Sequence, residues 1–158
     1  MPPERWLADE MLGRLAGYLR FVGCDTAYVR GQADGEIARR AAEEGRFLLT
    51  RDRGLAGRVP ESLWIRSHEI GAQWGELMVR FPDLPHAVRF ARCTRCNGGV
   101  RPVTDPPGGR WPDDAPVDRI AAGLAVYRCE ACGHLYWAGT HSADVQRRLD
   151  RWSGDVRP

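Results

Sequence analysis

The chain has 158 residues, 43% hydrophobic and 28% charged, and its 23 basic and 21 acidic side chains leave a formal net charge of +2. That apolar content excludes a disordered chain, and the near-neutral balance excludes bulk electrostatic attraction to nucleic acid or membrane. All 23 basic residues are arginine, which removes a Walker phosphate loop and any Schiff-base lysine.

Trp6-Leu7-Ala8 is a short apolar run that closes at Asp9 and predicts a first strand. Leu12, Leu15, Ala16, Leu19 and Val22 then recur at helical spacing, with Gly23 placed to end the helix. Thr26-Ala27-Tyr28-Val29 predicts a second strand. A helix follows from about Asp34, with Ile37 and Ala41 on one face and Gly45 at its end. Phe47-Leu48-Leu49-Thr50 is a strand of the buried type, closed by Arg51-Asp52-Arg53. A short helical turn at Leu55 and Ala56 precedes a fourth strand, Leu63-Trp64-Ile65. Ile70, Trp74, Leu77, Met78 and Phe81 mark an amphipathic helix stopped by Pro82.

Strands alternating with helices predict an α/β fold, a parallel sheet flanked by helices. Ligands of such sheets bind at the carboxyl ends of the strands, where Asp9 and Asp52 fall. Composition shifts near Pro82-Asp83-Leu84-Pro85, dividing the chain into residues 1–86 and 87–158. In the second part, Thr104 to Ala115 reads as an irregular loop, Leu135-Tyr136-Trp137 as a strand. A terminal helix is expected, capped by Thr140 or Ser142, with Val145 and Leu149 inward and Arg147, Arg148 and Arg151 outward.

Apolar runs reach only three or four residues, against the roughly 18 that span a bilayer. Met1-Pro2-Pro3-Glu4-Arg5 leads into no hydrophobic stretch, so no secretory signal or membrane partner is expected and the expected location is cytoplasmic. Paired cysteines in a reducing compartment read as metal ligands. Cys93-Thr-Arg-Cys96 and Cys129-Glu-Ala-Cys132 are two CxxC knuckles, each followed by turn-forming residues (Asn97-Gly98 and Gly133). Together they complete one tetrahedral zinc site with no open position, so the zinc is expected to be structural. A redox CxxC accounts for one pair, not for two of equal spacing. Four thiolates and one Zn²⁺ contribute about −2, bringing the total charge near zero. Nucleic-acid attraction must then be local. Arg92, Arg95 and Arg101 surround the first knuckle, and Phe90, Tyr127, Tyr136 and Trp137 offer stacking surfaces; a solvated ribbon face over a small aromatic core fits them equally well. With four cysteines present, His134 and His141 read as surface or packing residues, and Cys24 as a buried small hydrophobe.

Asp9, Asp34, Glu36 and Asp52 form a second candidate set. Phosphodiester hydrolysis uses a hard divalent cation held by carboxylates and water, and acids at the ends of different parallel strands can converge. Each also has a local reading: Asp9 and Asp34 as helix caps, Glu36 as a first-turn acid, Asp52 as an ion-pair partner of Arg51 or Arg53.

Asp9-Glu-Met-Leu-Gly-Arg-Leu-Ala16, Leu19-Arg-Phe-Val-Gly-Cys-Asp-Thr26 and Leu48-Leu-Thr-Arg-Asp-Arg53, followed by Arg92-Cys-Thr-Arg-Cys-Asn-Gly98, Tyr127-Arg-Cys-Glu-Ala-Cys-Gly133 and Tyr136-Trp-Ala-Gly-Thr-His141, resemble the mut-seven C-terminal ribonuclease domain. The likeness runs in order over roughly residues 6 to 150. It implies a PIN-like fold followed by a zinc ribbon, and a Mg²⁺- or Mn²⁺-dependent ribonuclease. On that likeness Asp9 and Asp52 bind the catalytic metal, Asp34 or Glu36 completes its shell, and Thr50 orients a ligand or water. Arg51 and Arg53 contact phosphate, and the products carry 5′-phosphate and 3′-hydroxyl ends; Arg14, and Arg92 and Arg95 from the basic first knuckle, are the further expected RNA contacts. Three departures stand out: Gly17-Tyr18 where an Arg-Trp-like pair is more usual, Asp34 and Glu36 separated by Gly35, and Ser67-His68-Glu69 with a single acid after the fourth strand. A non-catalytic RNA- or protein-binding adaptor with a degenerate site, and a toxin-like nuclease held by a partner protein, are the alternatives.

Overall fold

Four short apolar runs pair side by side in a computed structural model that describes residues 1–154. They are β1 (Arg5–Ala8), β2 (Asp25–Tyr28), β3 (Phe47–Thr50) and β4 (Ser62–Trp64), all parallel, in the order β2-β1-β3-β4. Helices α1 (Gly13–Phe21), α2 (Asp34–Glu44), α3 (Arg53–Arg58) and α4 (Ile70–Arg80) connect or follow them. The period of two along a strand sorts its side chains onto two faces. Trp6, Ala8, Phe47 and Leu49 join Leu15 and Leu19 of α1 and Trp74 and Leu77 of α4 in one core. Leu7 and Leu48, one residue out of phase, join Ala27, Ile37, Ala41 and Leu55 in the other. This is the α/β sheet flanked by helices expected from the sequence.

Most boundaries fall within a residue of expectation. The differences come from local hydrogen bonding. A 3-10 turn (Glu10–Leu12) intervenes before α1 because the Asp9 carboxylate caps it, accepting from the Met11 amide. Ala33, not Asp34, occupies the N-cap of α2, where the Glu36 side chain accepts from the Ala33 amide at 3.0 Å. The helix ends at Gly45 in the left-handed conformation (φ +58°) that glycine adopts without steric cost. Cys24 packs against the first core, and burial pushes its thiol up to about 11, as suits a small hydrophobe.

The remaining strands, β5 (Val100–Val103), β6 (Val126–Cys129) and β7 (Leu135–Trp137), form an antiparallel ribbon in that order. The proline- and glycine-rich segment before Ala115 is irregular apart from a 3-10 turn, and a short helix, α5 (Val117–Ala121), follows it. Helix α6 (Thr140–Gly154) then returns to the first lobe. Ser142 lies inside its first turn and bonds back to Gly139. Val145 and Leu149 are buried in the core with α1 and α4, the Trp74 indole N–H donates to Ser153 Oγ at 3.2 Å, and Trp152 lies so close to Gly71 that a Cβ there would meet its ring nitrogen at 2.6 Å.

A polar clamp holds the first cysteine knuckle on the β2 edge of the sheet. Asn97 accepts from the Thr26 amide at 2.9 Å and donates to Asp25 at 2.7 Å, while Arg20 donates to the carbonyls of Thr26 (2.9 Å) and Thr94 (3.0 Å). Asp25 also pairs with Arg46 at 2.8 Å. Burial raises the Asp25 carboxyl, but the bonds from Arg46 and Asn97 outweigh it and hold the group below its ordinary value.

Candidate active site and metal centre

Strands β1 and β3 are adjacent and in register, Ala8 opposite Leu49, so the residues that follow them emerge side by side. The Asp9 amide continues the ladder, donating to the Leu49 carbonyl at 3.1 Å. Its side chain is only 6% exposed. A buried carboxylate needs compensating donors, and Asp9 has three. Oδ1 accepts from the Met11 amide (3.1 Å), and Oδ2 accepts from the Arg51 amide (3.2 Å) and the Thr50 hydroxyl. Thr50, fully buried, in turn accepts from the Asp52 amide at 2.9 Å. One hydroxyl therefore links the Asp9 carboxylate to the backbone of Asp52.

Asp52 is exposed and is the N-cap of α3, its Oδ1 accepting from the Leu55 amide at 2.9 Å. Among the described residues its Oδ2 takes no hydrogen bond. With about two acceptor positions on each carboxylate oxygen, Asp9 keeps capacity on Oδ1 and Asp52 keeps it on both oxygens.

The other acids are engaged elsewhere. Asp34 pairs with Arg58 of α3 at 2.6 Å, and Glu36 closes the first turn of its own helix. Among the described residues the one group of three or more metal-ligating side chains with ligand atoms all within 4.8 Å of one another is Cys93, Cys96, Cys129 and Cys132. The expected convergence of Asp34 or Glu36 on Asp9 and Asp52 is thus not formed; ion pairing and capping satisfy those groups first.

The cysteine group is assembled. Sγ atoms of Cys93 and Cys132 are 3.6 Å apart and those of Cys96 and Cys129 are 3.5 Å apart, near the roughly 3.8 Å edge of a tetrahedron with about 2.3 Å zinc–sulfur bonds. The turn Cys93–Gly98 is tight enough that a Cβ on Gly98 would meet Cys129 Sγ at 2.9 Å. Burial opposes ionisation of Cys93, but the Tyr136 hydroxyl and the Cys96 and Arg95 amides bring it down to about 6. The Gly98 amide favours the Cys96 thiolate, yet burial and the three neighbouring sulfurs push that thiol up to about 12. Four thiols so close cannot all ionise without a cation between them, so the cluster fits a small metal-binding motif of the zinc type.

The expected arginine contacts separate. Arg51 and Arg53 lie beside Asp52: Arg51 donates to His68 Nε2 at 2.8 Å, and the Arg53 guanidinium sits 5.3 Å from the centre of the Trp64 ring. Arg14 borders a small cleft between α1 and α6 shared with Tyr18, His141 and Arg148. Arg92 faces Asp25 (3.6 Å) and donates to the Asn97 carbonyl, while exposed Arg95 contacts His134 at 3.3 Å. Sequence reasoning passed over Trp64. It sits opposite Thr50 in the sheet register, with its indole N–H donating to the Arg51 carbonyl at 3.2 Å; an aromatic at the carboxyl end of an edge strand was the available signal.

The family model of the Mut7-C RNAse domain matches residues 4–149. The chain belongs to the Mut7-C RNAse domain family. That membership covers both the sheet and the cysteine ribbon, and together with the parallel sheet it supports a PIN-like hydrolase of the nuclease type. No match to the chain was found among curated proteins or among solved structures. No helix of the described residues is long and apolar enough to cross a membrane.

Proposed function

We propose that this Mut7-C domain is a metal-dependent ribonuclease that hydrolyses phosphodiester bonds at Asp9 and Asp52. The observation that supports it most is the Thr50 hydroxyl, which donates to the buried Asp9 carboxylate and accepts from the backbone amide of Asp52 at the carboxyl ends of adjacent parallel strands. Asp9 is fixed by three donors and acts as the rigid ligand; Asp52, open on Oδ2, is the ligand reached from solvent. A bound Mg²⁺ or Mn²⁺ would polarise the phosphoryl group and activate a water. Arg51 and Arg53 supply guanidinium donors for phosphate oxygens. Asp34 would be available to the site only if its Arg58 pair opened, and Glu36 only if it left the Ala33 amide.

Zinc is the proposed occupant of the four-cysteine cluster, in a structural role. Residues 1–86 are proposed to carry the chemistry, and residues 87–158 the ribbon and the helix that closes the core. RNA is the proposed substrate, and the site of action is proposed to be the cytoplasm. A non-catalytic adaptor is the second reading, supported by the capping roles of Asp9 and Asp52 and by the pairing of Asp34 with Arg58.

The test is cleavage of a mixed RNA pool with Mg²⁺ or Mn²⁺ by wild type, D9N and D52N. Asparagine caps helices as well as aspartate does, so D52N removes a ligand charge and keeps the fold. Its rate is expected to drop at least about a hundred-fold, since even outer-shell changes at metal sites cost about 10–100-fold. Cleavage unaffected by either substitution would remove these residues from the chemistry, and absence of wild-type cleavage with intact RNA binding would favour the adaptor.

A further inference from the structure

The indole of Trp64 stands at the open end of the edge strand β4, more than a third exposed, and its ring N–H is bonded to the carbonyl of the residue preceding Asp52. That bond fixes the ring beside the candidate active site. The Arg53 and Arg66 guanidinium carbons lie 5.3 and 5.9 Å from the ring centre, near the outer limit of about 6 Å for a cation–π contact. Both arginines are exposed, held loosely enough to turn toward another charge. From Trp64 a groove of about 880 Å³ runs between β4 and α4 past Arg66, Val79 and Arg80. Its one carboxylate, Glu76, is committed to the backbone, accepting from the amides of Arg66 (3.0 Å) and Ser67 (2.8 Å). The groove therefore presents a fixed aromatic face and exposed positive charge.

We propose that this groove binds the single-stranded RNA flanking the scissile phosphate, with one unpaired base stacked on Trp64 and neighbouring phosphates held by Arg53, Arg66 and Arg80. The assignment rests on the ribonuclease reading and adds to it the strand form of the substrate and the side on which it lies. A ring can stack only on a base whose face is free, so paired RNA is a poor occupant. Stacking is also indifferent to base identity, so the groove confers a preference for unpaired segments over any sequence.

The measurement is binding of labelled oligouridylate, the same oligomer with abasic sites, and a duplex, to the zinc-loaded full chain without added Mg²⁺ or Mn²⁺. Trp64→Ala is expected to weaken oligouridylate binding roughly ten-fold, as the loss of one stacked base does, and Trp64→Phe to retain most of it. The abasic oligomer should bind wild type no better than oligouridylate binds Trp64→Ala. Arg66→Ala should weaken both oligomers and lower the magnitude of the salt slope by about 0.7, the loss of one phosphate contact on a single strand. Should Trp64→Ala fail to fold, the abasic comparison and Arg66→Ala decide the matter. Equal affinity for the base-bearing and abasic oligomers, unchanged binding by folded Trp64→Ala, or tighter binding of the duplex would each overturn the groove. An inactive D52N with indifferent Trp64 variants rejects the groove and keeps the aspartate site; a fully active D52N with the expected Trp64 effects keeps the groove and removes Asp52 from the chemistry.

Discussion

The cysteine cluster and the paired aspartates are built on opposite plans. In the ribbon each ligand pair is two residues from closure, and the turn itself aims the sulfurs; four donors arrive within 3.6 Å of a neighbour. At the sheet, Asp9 and Asp52 are neighbours only through the register of β1 on β3, whose ends they follow, and both also serve as helix caps. A local site can be dedicated to one task, whereas a topological site borrows residues already holding the fold. Removing a metal should therefore injure the first structurally and the second catalytically.

The largest expected effect breaks that contrast most directly. Chelation of the ribbon metal should abolish amide-exchange protection in β5–β7 and loosen the Asn97 clamp on β2, since a structural zinc contributes on the order of 10 kcal/mol in small zinc domains. Ribbon protection that survives chelation would show that the cysteines do not hold the ribbon. A smaller effect sharpens the other side: Thr50→Val removes one of the three donors to Asp9 and leaves the Asp52 amide without its acceptor, at about 1–3 kcal/mol for a buried unsatisfied group. Urea unfolding measures it, and cleavage should fall in the same variant. A Thr50→Val protein as stable as wild type would mean the hydroxyl bridge carries no load.

The smallest effect is at the clamp. Asp25 is held below its ordinary value of 3.8 in the folded chain. Its contribution is thus fully present above about pH 4 and is lost as pH falls through the lower folded value. The melting temperature of wild type should drop more steeply than that of Asp25→Asn below that pH. Parallel curves would remove Asp25 as the acid-sensitive link between ribbon and sheet.

What the sequence disclosed followed the same division. Phe47–Thr50 and the helix from Ile70 are set by local apolar period and were readable to the residue or nearly so. The cysteine spacing named its own geometry. Asp34 was not legible, because whether it faces a metal or Arg58 depends on how α2 lies against α3. Neither was the clamp: Asn97 reads as a turn residue, and nothing near it in sequence points to Asp25 and Thr26, more than seventy positions away. Trp64 read as one more strand residue because its exposure depends on β4 being an edge.

Helix α6 supplies the last side chains to the core shared by α1 and α4, Val145 and Leu149. Until the ribosome has delivered that helix, the greasy underside of α1 and α4 has no lid, although every residue of the aspartate pair was translated long before. The domain is thereby obliged to finish folding after synthesis of nearly all its length, and a nascent chain halted ahead of Thr140 would be a client for chaperones rather than a working hydrolase.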